Sequence, residues 1–373
     1  MSAPQDVVTV GKMLTTAGQP TSQIEIELPY RDSLRYRAVY PLLLGYYRLM
    51  GLFPGVGRFL LWQNPRERNV LRFPATATAL LAIYTYPGIF GTLRETRGNL
   101  WSTLWGAVHQ NSQNARDVRH RTLIGADLLN AGVLEGASNL VDLAAGSALA
   151  IWLMLKEHPE FSGRIVLVDQ DIHSVVNTYE AALKAGLYGK IKIEPALILD
   201  QPKIIERTRQ RIEKALSVLK KNFGLDLTAD ELVNPVAVSP GSLFTRLKDG
   251  KVYPIIGNAR DFARFLNKGA FFDLAITLGF LDYLTPSEIT DNLVQVREVI
   301  NPTGGKLIAA HMDNHPEFRW VLNVPWYGAT KARWVLKPKS AQEFVSIVET
   351  SGYFVKRVLR TAGGVYNLIL ATR

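Results

Sequence analysis

The stretch Leu140-Val141-Asp142-Leu143-Ala144-Ala145-Gly146-Ser147-Ala148 decides how this chain folds. An apolar run carries a single acid, small residues follow in succession, and Leu149 opens a helical pattern. A short apolar run before such a turn fits a strand buried on both faces. In open α/β sheets, ligands settle outside the carboxyl ends of the strands. There a turn of Ala, Gly and Ser lets a nucleotide-like molecule lie against bare main chain. The plain alternative is a tight strand-to-helix turn with no ligand, and the loop alone does not separate the two.

Asp142 helps to separate them. A carboxylate within an apolar strand is costly unless it has a partner. A ligand α-ammonium group is one such partner, and neighbouring backbone amides are another. The next apolar run, 164–169, ends in Asp169, 23 positions after Gly146. That is the place and spacing at which an acid grips a ribose diol. Asp171 is a near alternative, and either acid can instead cap the following helix.

Further out, apolar runs at 252–256, 272–278, 306–310, 353–359 and 366–371 alternate with helical patterns at 149–155, 286–300 and 341–351. This alternation predicts an α/β fold, a Rossmann-like doubly wound sheet that is mostly parallel and covered on both faces. The last two runs are joined through Thr361-Ala362-Gly363-Gly364, which predicts a hairpin and an antiparallel final strand. Residues 191–251 interrupt the rhythm with a charged amphipathic helix at 201–221 and a looser piece containing Pro235 and Pro240. They are expected to form an insertion on the sheet edge.

These motifs, in this order, resemble the class I S-adenosylmethionine-dependent methyltransferases. That family carries an acid-x-Gly-x-Gly-x-Gly signature after its first strand. Here it stands as Asp142-Leu143-Ala144-Ala145-Gly146-Ser147-Ala148, with alanine at two of the glycine positions. The likeness extends over roughly 138–373, outside the insertion. It includes Asp169, the segment Phe272 to Leu284, and the Asn301-Pro302-Thr303-Gly304-Gly305 turn before an apolar strand. It implies a seven-stranded sheet and S-adenosyl-L-methionine as cofactor. The cofactor would lie against Asp142, Ala144, Gly146, Ser147, Asp169, Gln170, Leu278 and Gly279. After the third strand the family often places an acid that meets the adenine amino group. This chain has Asn258-Ala259 there, and an Asn side chain can still accept that hydrogen bond. A dinucleotide oxidoreductase would want Gly-x-Gly-x-x-Gly, but the aligned positions hold Ala144, Gly146 and Leu149.

Methyl transfer is an in-line displacement that depends mainly on positioning, with a base needed only if the nucleophile must lose a proton. Asp282, Tyr283 and His311 follow the fourth and fifth strands and are the candidate catalytic residues; a structural histidine is the alternative for His311. His311, Asp313 and His315 alternate, but a metal role is not expected. Arg119, in the helix leading into the first strand, is the candidate for binding the cofactor carboxylate. The Asn-Pro-Pro-Tyr signature of amino-group methylation is absent after the fourth strand.

The 373 residues carry a net charge of +10 and no cysteine, which removes disulfides, thiolate metal sites and Cys nucleophiles together. The opening Met-Ser-Ala-Pro-Gln-Asp has no basic region followed by an apolar run, so no secretory signal is expected. Residues 1–30 are expected to be an unanchored tail ending in a short strand-like alternation at 23–28. Residues 31–135 are expected to form a helical region covering the substrate, and 136–373 the catalytic domain. Positions 31–72 hold Arg31, Arg35, Arg37, Arg48, Arg58, Arg66, Arg68 and Arg72 among aromatics, against Asp32 and Glu67. That texture suits an anionic membrane surface or a nucleic acid backbone; a solvated helical face is the alternative. Residues 73–93 lack charge and approach a membrane-spanning length, but Pro74, Pro87 and several Gly and Ala favour a core helix at 75–86. The aromatics Trp320, Trp326, Tyr327 and Trp334 favour an apolar acceptor, small-molecule or lipid-like. The expectation is therefore a cytoplasmic enzyme with peripheral contact to anionic membrane as a secondary expectation. RNA ranks behind, as does a binding protein that keeps the fold without catalysis.

Overall fold

The computed structural model describes residues 6–10, 24–28, 113–267, 269, 271–315 and 336–373, with the single positions Ala38, Pro41, Gly45, Leu52, Thr103 and Gln110. In chain order these hold β1 (Asp6–Val10), β2 (Ile24–Leu28), α1 (Gln113–Leu134), β3 (Asn139–Leu143), α2 (Leu149–Glu157), β4 (Arg164–Asp169) and α3 (Ile172–Lys184). The middle of the chain adds β5 (Lys192–Ile193), β6 (Leu197–Ile198), α4 (Pro202–Arg209), α5 (Ile212–Phe223), α6 (Ala229–Leu232), β7 (Lys251–Ile256) and β8 (Leu274–Thr277). Then come α7 (Pro286–Val299), β9 (Lys306–Met312), α8 (Ala341–Thr350), β10 (Phe354–Arg360) and β11 (Tyr366–Thr372). The chain divides into two compact units. One takes Met1–Arg121, Ala310–Val345 and Arg357–Ile369; the other takes Thr122–Ala309, Ser346–Lys356 and Leu370–Arg373.

The second unit is built on parallel strands in the order β9-β8-β3-β4-β7-β5, with β6 also on β7. Leu140, Val141 and Leu143 of β3 are buried, as are Ile165 to Val168 of β4, which is why both strands are apolar almost throughout. The chain runs from β3 outward to β4 and β7, then returns to β8 on the other flank of β3. The β3–β8 boundary is thus the topological switch point, outside whose carboxyl ends such sheets bind ligands. At the opposite end, Asp273 Oδ2 accepts from the Ser138 and Asn139 N–H groups, each at 3.0 Å. Its Oδ1 accepts from Asn301 Nδ2 at 3.2 Å, so one carboxylate fixes where β3 and β8 begin. Gly132 of α1 lies against β8: a Cβ there would stand 2.3 Å from Leu274 Cδ1.

The 191–251 segment lies along β7. Lys192 and Ile193 pair with Lys251 and Val252, and Leu197 and Ile198 with Ile255 and Ile256. Val175, Val176 and Tyr179 of α3 share one buried cluster with Ala215 and Leu219 of α5 and Leu232 of α6.

In the first unit the strand order is β1-β2-β10-β11-β9. β1 and β2 are antiparallel, and β2 pairs in parallel with β10 through Ile26–Val358 and Glu27–Leu359. The segment expected to be an unanchored tail therefore contains two strands. Arg357 forks onto both carboxylate oxygens of Glu27, a bidentate pair that fixes β2 beside β10. The expected 136–373 block is also shared, since 310–345 and 357–369 group with the first unit. The basic-aromatic 31–72 stretch (apart from the single positions), the 73–93 segment and Trp320, Trp326, Tyr327 and Trp334 lie outside the described residues.

Asp117 of α1 holds this unit's hairpin. It is fully buried, and its Oδ2 accepts from Thr361 Oγ1 at 2.6 Å and Val365 N at 2.9 Å. Its Oδ1 accepts from Gly363 N at 3.0 Å and Gln113 Nε2 at 3.2 Å. A Cβ on residue 363 would fall 1.3 Å from Gln113 Nε2, so a side chain there would displace the Gln113 amide from Asp117. Replacing Asp117 with Ala strands several buried donors at once and is expected to lower the unfolding free energy by about 3 kcal/mol or more. Urea denaturation measures this, and a change below about 1 kcal/mol would contradict the burial of this node.

Candidate active site

The carboxyl ends of β3, β4 and β7 and the turns that leave them form the site. Asp142 occupies the next-to-last position of β3 and is only 5 % exposed. No hydrogen bond reaches its carboxylate from the described residues. Burial pushes its pKa well above the usual carboxylate range, and the neighbouring charge of Asp169 pushes it further the same way. Asp169, at the last position of β4, is raised to about 6, chiefly by desolvation, although bonds from Gly146 and Asp171 pull it down. Gly146 N donates to Asp169 Oδ2 at 3.0 Å and Asp171 N to Oδ1 at 3.2 Å. Two desolvated carboxylates are therefore near enough for the charge of Asp169 to act on Asp142, and among the described residues backbone donors serve only Asp169. Such a pair calls for a proton or a ligand cation.

The connecting loop has an alternating backbone. Ala144, Gly146 and Ala148 have φ of 55°, 57° and 52°, all left-handed. The positions where the family signature has glycine are thus the positions whose left-handed backbone disfavours a side chain. Ala145 N donates to Val168 O at 2.9 Å, tying the loop to β4. Ser147 and Ala148 are buried, and α2 begins after Ala148 with no side-chain cap.

The remaining expected positions divide. Asp171 is the cap of α3, its carboxylate accepting from His173 N at 3.1 Å, which leaves Asp169 as the acid at the strand end. Gln170 is exposed, with its carbonyl taken by Arg207. The Asn258 side-chain oxygen accepts from Arg260 N at 3.0 Å, so it closes its own turn, and Ala259 beside it is buried. The expected role of Asn258 toward an adenine amino group thus competes with a local bond. Leu278 and Gly279 leave β8, and Leu278 Cδ1 stands 2.8 Å from where a Cβ on Gly125 would be, so this side chain packs on α1. Asp282 is buried and Tyr283 half-buried in the 3-10 turn after β8.

Two expected site residues belong to the first unit. Arg119 Nη2 donates to Gln110 O at 2.7 Å. His311 does not suit the role of a base. It is 1 % exposed; its Nδ1 lies 2.6 Å from Met312 O and its Nε2 lies 3.1 Å from Lys339 Nζ. Burial and the Lys339 charge push its pKa down to about 3. A neutral ring with a proton on Nδ1 and an acceptor at Nε2 satisfies both contacts, and both nitrogens are then engaged. Asp313 is likewise engaged, by Arg360 and by Asn367 Nδ2. Residues that sequence patterns did not single out are Gln201, Arg207 and Arg211, which reach the site's turns from the insertion. Their only local signal is the Gln201-Pro202 helix start.

No protein-family model and no curated protein matches the chain. Among solved structures, a candidate O-methyltransferase from Nostoc punctiforme PCC 73102 is 13% identical at a TM-score of 0.42, covering 70% of this chain and 58% of that one. Magnesium protoporphyrin IX methyltransferase from Synechocystis PCC 6803 with bound SAH is 12% identical at 0.35, covering 69% and 86%. A possible exported protein from Bordetella parapertussis is 12% identical at 0.45, covering 91% and 96%. This chain spans little more than half the length of the Nostoc protein.

Asp169 sets a pH dependence. Its pKa rises from an ordinary 3.8 to about 6 on folding, so between those values the folded protein holds a proton that the unfolded chain lacks. Stability of the ligand-free protein should fall as pH rises through that window. Thermal melts from pH 4 to 7 check it, and Asp169→Asn should flatten the slope. The loop backbone gives a second test. Ala144→Gly should raise stability by about 1 kcal/mol, because glycine adopts this φ without steric cost. A destabilised Ala144→Gly protein would mean that the turn is not left-handed there.

Proposed function

We propose that this protein binds S-adenosyl-L-methionine at the β3–β4–β7 carboxyl edge and transfers its methyl group to an apolar small-molecule or lipid-like acceptor. The observation that carries the cofactor assignment is Asp142, a buried carboxylate with no donor among the described residues, beside a second carboxylate at a switch point lined by small residues. A nucleoside linked to a cationic amino acid suits both acids. The α-ammonium group supplies Asp142 with the charge it lacks, and the ribose diol supplies hydroxyl donors to the lone pairs left on Asp169. Bound there, the cofactor supplies an electrophilic methyl on a sulfonium. The chain's own task is to hold the acceptor in line and exclude water. Asp282 and Tyr283, just beyond β8, are the side chains assigned to orient the acceptor or take its proton. The acceptor class rests on the aromatic content of 313–336. A second reading, ligand binding without transfer, is favoured by the engagement of both His311 ring nitrogens.

Isothermal titration with S-adenosylmethionine and S-adenosylhomocysteine tests the first claim, and absence of binding to both ligands removes it. Asp142→Asn gives a sharper outcome. It should weaken either ligand by about 30-fold, as loss of a charged hydrogen bond does. The same change should raise the melting temperature of the ligand-free protein, because it removes a buried unpaired charge. A variant less stable and equally tight in binding would place the functional role of Asp142 elsewhere. Turnover assays with a panel of hydroxylated aromatic and lipid acceptors then separate transfer from binding alone.

A further inference from the structure

The insertion is joined to both turns that wall the candidate cofactor site. β6 runs beside β7 and leaves the sheet at the same edge, with Leu199 N donating to Ile256 O at 3.0 Å. Gln201 follows, at the N-cap position of α4, but its side chain makes no cap bond. It turns instead to the β7 turn. Its Oε1 accepts from Asn258 N at 3.0 Å and its Nε2 donates to Asp261 Oδ2 at 3.3 Å. One amide thus spans the turn with both of its polar ends.

The β4 turn is held from the same helical pair. Arg207 of α4 donates to Gln170 O, and Arg211, the residue before α5, pairs with Asp171 Oδ2 at 2.7 Å. Asp171 N in turn donates to Asp169 Oδ1, so the Arg211 contact continues to the acid at the strand end. Below the turns, Gly257 N donates to Asp169 O at 2.8 Å, and a Cβ on Gly257 would stand 2.3 Å from Leu199 Cδ1. The Leu199 side chain of the insertion is therefore pressed directly against Gly257 at the start of the β7 turn.

From this geometry we propose that Gln201 is a positioning residue for the nucleoside half of the cofactor. It sets the conformation of the 257–261 turn, while Arg207 and Arg211 set that of 169–171. The proposal rests on the cofactor reading above and extends it: affinity for the adenosine moiety is set from the insertion. A surface-exposed Arg–Asp pair is worth little alone. The bidentate amide contributes more, because it fixes a backbone N–H and a carboxylate together.

The test is a double-mutant cycle that exchanges the amide and the carboxylate in the full-length protein, with S-adenosylhomocysteine and adenosine as separate probes. Gln201→Glu keeps the acceptor for Asn258 N but sets a carboxylate against Asp261. It should raise Kd for both probes about tenfold. Adding Asp261→Asn in the same chain restores a donor opposite that carboxylate and should return both Kd values to within about threefold of the parent. Amide hydrogen exchange at 257–261 should rise in Gln201→Ala with the melting temperature unchanged, which guards against a variant that merely unfolds. Unchanged Kd in Gln201→Glu, or no rescue by the second change, overturns the role of Gln201 while leaving the cofactor reading intact. A parent protein that binds neither probe overturns both.

Discussion

The carboxylate of Asp142 is the constraint on which the site depends. It is set by strand geometry into a layer that is otherwise apolar, and the only charged neighbour that raises its pKa, Asp169, has the same sign. Folding therefore carries a cost at this point that the surrounding structure does not offset. Evolution has no packing reason to keep an acid there, since an apolar residue would fill a parallel strand more stably. On the proposed reading a cationic ligand completes the pair, and the stability of this position and its proposed binding role are then opposed.

Everything near the pair serves to hold two turns still. Backbone N–H groups from Gly146 and Asp171 engage Asp169, and the left-handed positions at Ala144, Gly146 and Ala148 turn the loop from β3 into α2 without large side chains. The turn after β7 closes on itself through Asn258 and Arg260 and is held from outside by Gln201. Segment 191–251 thus has a physical role beyond extending the sheet edge, because its helices share a buried cluster with α3 and its polar side chains fix the neighbouring turns. In the first unit, a different buried acid does structural work. Asp117 has donors at both oxygens, in contrast to Asp142 among the described residues: the first is scaffold, and the second is the position proposed to meet a ligand.

His311 shows the same distinction from the other side. Its place directly after the apolar run 306–310 invites a catalytic reading, but β9 extends to Met312 and holds it inside the strand. Its surroundings show a neutral ring with Met312 O at one nitrogen and Lys339 Nζ at the other. Position along the chain reports only which edge of the sheet a residue reaches. Availability depends on what packs around it, and Lys339 comes from 28 residues away.

The sequence by itself determined the strands and helices of the parallel core, because each is a local pattern: apolar runs for β3 and β4, the Thr285-to-Glu288 capping box and Pro286 for α7, small residues between β3 and α2. It also placed Asp142 within the first strand and Asp169 at the end of the second, where the change in polarity is visible. Only the tertiary structure decided that Asp142 has no partner among the described residues, that Asp171 is the helix cap, and that β2 pairs with β10 through Glu27 and Arg357. It alone brought Gln201 to Asn258 across 57 residues. The physical reason is common to all of these. Secondary structure follows from neighbours in the chain, whereas the charge state and hydrogen bonding of a side chain depend on groups that only folding brings within reach.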